Sequence, residues 1–400
     1  MPTNEEDGKI VSFPVAARAI QAGRRLIPAR LREARKLLRL SQVDLAEKIG
    51  VSRQAVSSYE RGDKSPEAET FQLMADVLKQ PVRFFTKEDA PIFGEYSVRF
   101  YRKFGADTVR RNEACEVLGD WFVQVARYID DFVNYPPVNV PEHSPEAADQ
   151  RYTFEEINAI ADDCRTAWGL GLGPISNVMT LLESKGISIC RYELPGEKVE
   201  AFSFWNGPRP FIFMASEKVS AVRARYDLAH ELGHLILHRW VDKSELEDPK
   251  VLKKIEAEAD MFAGAFLLPR ASFPNEVYTL RLDAFVELKK RWRVSIQAMV
   301  HRCSDLGLAT PDQSLNLYKQ ISYRKWRTRE PLDDPSILPI EQPRIFKKAV
   351  EMVLESKKKH PDQIASDLGL NRETIEQLCN LPPNSLEYNT ELPDIQPTLK

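Results

Sequence analysis

With 400 residues, 43% of them hydrophobic and 29% charged, the chain exceeds what one hydrophobic core usually organises, and a single small fold is excluded. No run approaches the roughly 18 apolar residues of a membrane span, and the opening MPTNEEDGKIVSFP lacks the basic start and apolar stretch of a secretory signal. A cytoplasmic protein with no membrane partner is therefore expected. The net charge of −3 argues against a chain coated in nucleic acid, yet residues 1–87 hold 16 Lys or Arg against 11 Asp or Glu, so a basic partner-facing surface belongs at the N-terminus. Cys115, Cys164, Cys190, Cys303 and Cys379 are scattered, odd in number and free of any C-x-x-C, which speaks against a disulfide framework or a cysteine zinc site.

After an N-terminal arm, 1–27, residues 28–88 read as closely spaced short helices. Ser41 and Ser52 stand at N-cap positions, Gly50 and Gly62 where helices stop, and Pro66 in the first turn of the next helix. Within them SQVDLAEKIGVSRQAVSSYERG supplies a supporting helix, a tight turn and a second helix in order. Leu45, Ala46 and Ile49 face the core, Val51 fills the turn, and Val56 and Tyr59 anchor the second helix. That leaves Ser52, Arg53, Gln54, Ser57 and Ser58 outward, and Arg and Gln suit bidentate contacts to guanine and adenine. Gln42, Arg61 and the KLLRL stretch are placed to hold phosphates. The segment resembles the phage-repressor (Cro/cI, or XRE) helix-turn-helix family over about 55 residues. The resemblance implies a double-stranded DNA operator as partner and a homodimer on paired half-sites; a helical module for protein contacts alone is the alternative.

Residues 89–150 read as a connector: an aromatic-rich stretch with Phe93, Tyr96, Phe100, Tyr101 and Phe104, an amphipathic helix ending in EACEVLGDWFVQVARYIDDFV, and a linker, NYPPVNVPEHSPEAAD, with four prolines. From 151 to 310, two helical patterns precede three strand-like runs, ISICRYEL, KVEAFSFW and RPFIFMA, the last two separated by the turn signal NGP. A small antiparallel sheet among helices, an α+β domain, is expected. Residues 311–400 form an extension, partly helical and ending in a mobile tail.

His230-Glu231-Leu232-Gly233-His234 puts two imidazoles at i and i+4 on one helical face, where both can bind one metal. Glu231 between them is positioned to take a proton from the attacking water rather than to ligate. A catalytic zinc needs a third protein ligand. Glu256-Ala257-Glu258-Ala259-Asp260 offers one, with Glu256 and Asp260 sharing a face: if Glu256 binds Zn2+, Asp260 can accept from the far nitrogen of a ligand imidazole. Glu258 points elsewhere and is the lesser candidate. His238 reads as an ordinary helix-end histidine, and Arg223, Arg225 and Tyr226 as packing and surface charge.

The runs VRARYDLAHELGHLILH and EAEADMFAGAFLLP resemble the ImmA/IrrE family of zinc metallo-endopeptidases, with similarity over about 160 residues. The resemblance implies a zincin-like, gluzincin-type fold with His230, His234 and Glu256 as zinc ligands, and an RPFIFMA strand that pairs with extended substrate. The chain as a whole reads as a multidomain regulator, an all-α DNA-binding domain followed by an α+β zinc endopeptidase domain. A repressor or antitoxin-like protein is the implied substrate. Two other readings stay open: a non-catalytic transcription factor whose peptidase-like domain senses a metal, small molecule or partner, and self-cleavage between Pro136 and Asp149.

Overall fold

The N-terminal helices start and stop at the sequence punctuation. In the computed structural model, which describes residues 25–88, 94–100, 106–143, 151–192, 201–215 and 220–387, α1 spans Pro28–Leu37, α2 Gln42–Ile49, α3 Arg53–Arg61, α4 Ala68–Val77 and α5 Val82–Thr86. Ser41 and Asp44 close a capping box on α2, Ser52 Oγ accepts from the Ala55 amide, and Gly50 and Gly62 are left-handed C-caps. Each polar cap is worth about 1 kcal/mol. Pro66 lies ahead of its helix rather than in it: Glu67 is the N-cap with extended backbone, so the first turn begins at Ala68. Leu31, Leu45, Ile49, Val56, Phe71 and Phe85 bury the faces between these helices, while Tyr59 and Val51 are only partly covered. The arm up to residue 24 lies outside the described residues.

The long helix α6, Ala106–Asp130, belongs to the same core. Trp121, Phe122 and Val125 are buried, and the Trp121 indole N–H donates to Glu33 of α1 at 3.0 Å. The helix thus joins the N-terminal helices to the sheet beyond it. Within the aromatic stretch before it, Phe93, Tyr101 and Phe104 lie outside the described residues.

The strands are β1, Ser188–Tyr192, β2, Ala201–Asn206, and β3, Arg209–Ala215, in the order β1-β3-β2. β2 and β3 form an antiparallel hairpin, but β1 runs parallel to β3, so the sheet is mixed and not antiparallel as expected. The hairpin inserts its returning strand beside β1, which fixes β3 at the centre with a hydrogen-bonded partner on each side. The RPFIFMA strand therefore has no edge to offer a substrate, correcting the expected strand-pairing mode. Every position of β1 and β2 is buried because both faces are covered. Cys190, Phe202, Phe204, Phe211 and Phe213 join the core of α6, and Ile189, Trp205, Ile212 and Met214 face a second core.

That second core is built by α7, Phe154–Ala167, α8, Val178–Ser184, α9, Ala221–Leu237, α10, Pro249–Leu267, α11, Leu282–Trp292, α12, Ile296–Asp305, and α13, Pro311–Tyr323. Packing continues across residue 310, since Leu317 and Ile321 of α13 are buried in this core. The chain then crosses the domain, pinned by buried Lys289 to Glu330 at 2.8 Å and Asp333 at 2.7 Å and by Arg225 to Glu341. Three short helices, α14, Ile345–Glu355, α15, Pro361–Leu368, and α16, Arg372–Leu378, return to the first core, where Phe346 meets Phe122 edge to face. The expected tail, roughly the last 17 residues, lies mostly outside the described residues, but at its described start Leu386 is buried.

The proline-rich segment is laid against the second core rather than strung free. The Asn139 amide donates to Lys185 at 2.9 Å, the Trp168 indole donates back to the Asn139 carbonyl, and the Val138 backbone lies against Gly186. Asn139 thus anchors this segment through its backbone while Pro137, Val138 and Asn139 stay exposed; residues 144–149 lie outside the described residues.

Candidate metal centre and DNA-reading helix

Helices α9 and α10 approach closely enough for their side chains to share one centre, because Gly233 has no Cβ. One built there would stand 3.2 Å from the Ala259 Cα, inside ordinary contact distance, so any larger residue pushes the helices apart. Across this contact His230, His234 and Glu256 each turn one donor atom to a common point, and the three atoms lie within 4.8 Å of one another. His234 Nε2 is 3.0 Å from His230 Nε2 and 3.4 Å from Glu256 Oε1, and His230 Nε2 is 3.6 Å from Glu256 Oε2. Tetrahedral zinc with bonds of about 2.0–2.1 Å sets its ligand atoms about 3.3–3.4 Å apart, so the separations suit that ion.

The outer nitrogens are occupied. His230 Nδ1 lies 2.7 Å from Asp260 Oδ1, one turn beyond Glu256 on the same helix. His234 Nδ1 lies 3.0 Å from His238 Nδ1, and His238 Nε2 lies 2.9 Å from Glu258 Oε2. Both imidazoles are thereby left with Nε2 for a metal, and the donor set is two nitrogens and one carboxylate. Burial opposes charge on Glu256, but the hydrogen bonds and charges of His230 and His234 outweigh it and hold its carboxyl below the usual range. Burial likewise pushes His238 down to about 4, against the pull of Glu258. Glu231 is buried in the same helix, and its carbonyl accepts from the Ser203 hydroxyl of β2 at 3.3 Å, tying the histidine helix to the sheet.

His238, expected as an ordinary helix-end histidine, and Glu258, the lesser candidate for third ligand, form a buried pair behind His234. The available signal was a third histidine at the same four-residue step, with Glu258 two residues from Glu256. Arg225 is a buried anchor and not surface charge: it reaches the Ile175 carbonyl and Glu341. Tyr226 donates to the Asp260 carbonyl at 2.9 Å, supporting α10. Phe100, from the connector, lies flat on His234 with ring centroids 4.5 Å apart and planes 5° from parallel.

In the N-terminal domain, Glu60 of α3 is buried and accepts from Arg35 Nε at 2.5 Å and from the Gln42 amide at 2.8 Å, so it ties three helices together. Gln42, expected on a phosphate, thus already donates inside the fold. Arg53 and Gln54 are exposed at the start of α3 with Ser52, whose hydroxyl is used as the cap. Arg61 is exposed too, donating to Ser57 at 2.5 Å and Asp63 at 2.7 Å, with a longer contact to Ser58. These side chains share one surface strip.

Residues 31–85 match the helix-turn-helix family model, and residues 182–304 match the peptidase M78 model described as an IrrE N-terminal-like domain. Two similar relatives are uncharacterized HTH-type transcriptional regulators, of Sinorhizobium medicae and Rhizobium meliloti, each 37% identical over 65 residues, which is 16% of this chain. The match spans 46% of either relative, about half its length. Among the described residues no helix is long and apolar enough to cross a membrane. The chain therefore carries an XRE-type helix-turn-helix domain followed, in a multidomain α+β architecture, by an IrrE-like domain of the M78 peptidase family.

Proposed function

We propose that the protein is a DNA-binding transcriptional regulator whose second domain is a zinc-dependent endopeptidase. The observation that carries the reading is the convergence of His230, His234 and Glu256 across the α9–α10 contact, with Glu231 between the two histidines in the sequence. Zinc bound there would supply Lewis acidity, polarising a scissile carbonyl and acidifying water. Asp260 and His238 fix which nitrogen of each ligand faces the metal. The Glu231 carboxylate accepts the proton released by the attacking water and returns it to the departing amide nitrogen, in keeping with its place in the helix between the two ligands. Arg53 and Gln54 read base edges, with Ser52, Ser57, Ser58, Gln42 and Arg61 around them, and a homodimer presents two such helices to an operator. The substrate is a repressor or antitoxin-like protein whose removal changes transcription.

A second reading, a metal or partner sensor without hydrolysis, is favoured by one observation: both metal-side histidines and Glu231 are buried to within 2% of full coverage. Glu231→Gln separates the two. It preserves shape, and zinc content and folding should survive, but the amide is no base near neutral pH. Loss of partner cleavage, and of induction in a strain carrying Glu231→Gln, supports the endopeptidase; normal induction in that strain defeats it and supports the sensor.

A further inference from the structure

The outer edge of β2, next to the histidine helix, is already paired. Tyr96 faces Asn206 in an antiparallel bridge; the Ser97 amide donates to the Trp205 carbonyl at 2.9 Å and the Gly207 amide to the Glu95 carbonyl at 2.8 Å. Side chains reinforce the backbone: the Asn206 amide donates to the Gly94 carbonyl at 2.7 Å, and the Ser97 hydroxyl accepts from the Trp205 amide at 2.8 Å. Gly94 is needed for the crossing, since a Cβ there would lie 2.9 Å from the Gly207 Cα. Three residues after Ser97 the same strand delivers Phe100 onto the His234 ring. Between them Arg99 donates to the Glu116 carbonyl and to Asp120 on α6 while lying over Tyr96 and Phe204.

An extended backbone along β2 that places an aromatic side chain against a metal-side histidine has the geometry of a bound peptide. We infer that Gly94–Phe100 is an intramolecular strap that occupies the peptide edge of the metal centre, so that substrate binds only when the strap leaves β2. Substrate exclusion rests on the endopeptidase function proposed above, and the strap itself on the pairing. In sequence the strap lies between the DNA-reading helices and α6. The strap competes with an extended peptide for the amide of Gly207 and the carbonyl of Trp205, and Phe100 shields the ligand histidine until both are given up.

The strap can be locked chemically. Tyr96 and Asn206 form a pair without mutual hydrogen bonds, the antiparallel site where Cα atoms come within about 4.5 Å and a disulfide fits. The five native cysteines are buried and leave diamide a single target. In the zinc-loaded full chain carrying Tyr96→Cys and Asn206→Cys, oxidation should slow both capture of zinc by a chromogenic chelator and hydrolysis of fluorescent casein at least about tenfold, the strap's several hydrogen bonds no longer being able to open together, with recovery on reduction. Phe100→Ala and Gly94→Ser, which uncover His234 or crowd the crossing, should accelerate both in unlocked protein. Chelator capture that is unchanged by the lock and by both single variants overturns the strap. Capture that follows the strap, with no form cleaving casein, upholds the strap and counts against the endopeptidase instead.

Discussion

Replacing His238 by leucine tests whether the buried pair behind His234 tunes the metal centre. When His234 gives Nε2 to a metal, its proton sits on Nδ1 and must be donated to His238 Nδ1, 3.0 Å away; His238 then carries its own proton on Nε2 and donates it to Glu258 at 2.9 Å. One tautomer satisfies both bonds. Leucine removes the acceptor, and loss of such an outer partner typically lowers metal affinity 10–100-fold, or about 1.4–2.7 kcal/mol. The same change leaves Glu258, whose side chain is 4% exposed, without its buried donor, so stability should also fall by about 1–3 kcal/mol. Adding Glu258→Leu removes the stranded carboxylate. The double variant should recover much of the melting temperature without recovering zinc affinity. Zinc competition against a fluorescent chelator and thermal unfolding of apo protein give the two readouts separately. Wild-type zinc affinity in His238→Leu, or recovery of affinity together with stability in the double variant, would refute the tautomer argument.

Elemental analysis should find zinc lost in Glu256→Ala but largely kept in Glu258→Ala, whose carboxylate faces His238; the reverse pattern would make Glu258 the third ligand. Arg53→Ala should cost about 1–3 kcal/mol at a selected operator and little on random DNA, whereas Arg372→Ala should leave both unchanged; equal losses on both DNAs for Arg53→Ala would reduce it to a phosphate contact. Lys289→Met leaves Glu330 and Asp333 facing each other without their buried cation, so urea denaturation should show about 3–5 kcal/mol less stability with zinc content intact.

What could be read from the sequence was what local periodicity encodes. His230 and His234, and Glu256 and Asp260, each stand one helical turn apart, so the chain announces both faces of the centre before any tertiary contact is known. The caps at Ser41, Ser52, Gly50 and Gly62 are equally local. What stayed hidden depends on partners distant in the chain. β1 and β2 are buried on both faces and carry no alternation from which strand direction could be inferred, so the parallel β1–β3 pairing was invisible. His238 reads as an ordinary helix-end histidine because Phe100 and Glu258, which pack against it, come from other elements. The Tyr96–Asn206 bridge joins segments more than a hundred residues apart through a strand too short to show a pattern.

The two ends of the chain show how little of function the local code decides. α15, Gly369, Leu370, Asn371 and α16 repeat the plan of α2, Gly50, Val51, Ser52 and α3: a left-handed glycine cap, one apolar turn residue, an N-cap side chain accepting from the third helical amide, and an arginine first in the second helix. In α3 that opening turn presents Arg53 and Gln54 to solvent. In α16 the opening Arg372 and Glu373 are exposed as well, but Arg372 pairs with Asp362, and the residues that follow, Thr374, Ile375 and Glu376, are buried, Glu376 accepting from the Asn384 and Leu386 amides. Asn371 also reaches to the end of the N-terminal domain, its side-chain amide donating to the Lys79 carbonyl and its backbone amide to Gln80 Oε1 at 3.1 Å, so the C-terminal copy of the shape grips the reader. The reader, α6, this C-terminal unit and one face of the sheet consequently bury a single continuous core. The opposite face of that sheet packs on α9, which carries His230 and His234. A displacement of the DNA-reading helices thus has one packed layer and three strands to cross before it meets the metal residues, and Gly94–Phe100 is the covalent path that runs between the same two places along the edge.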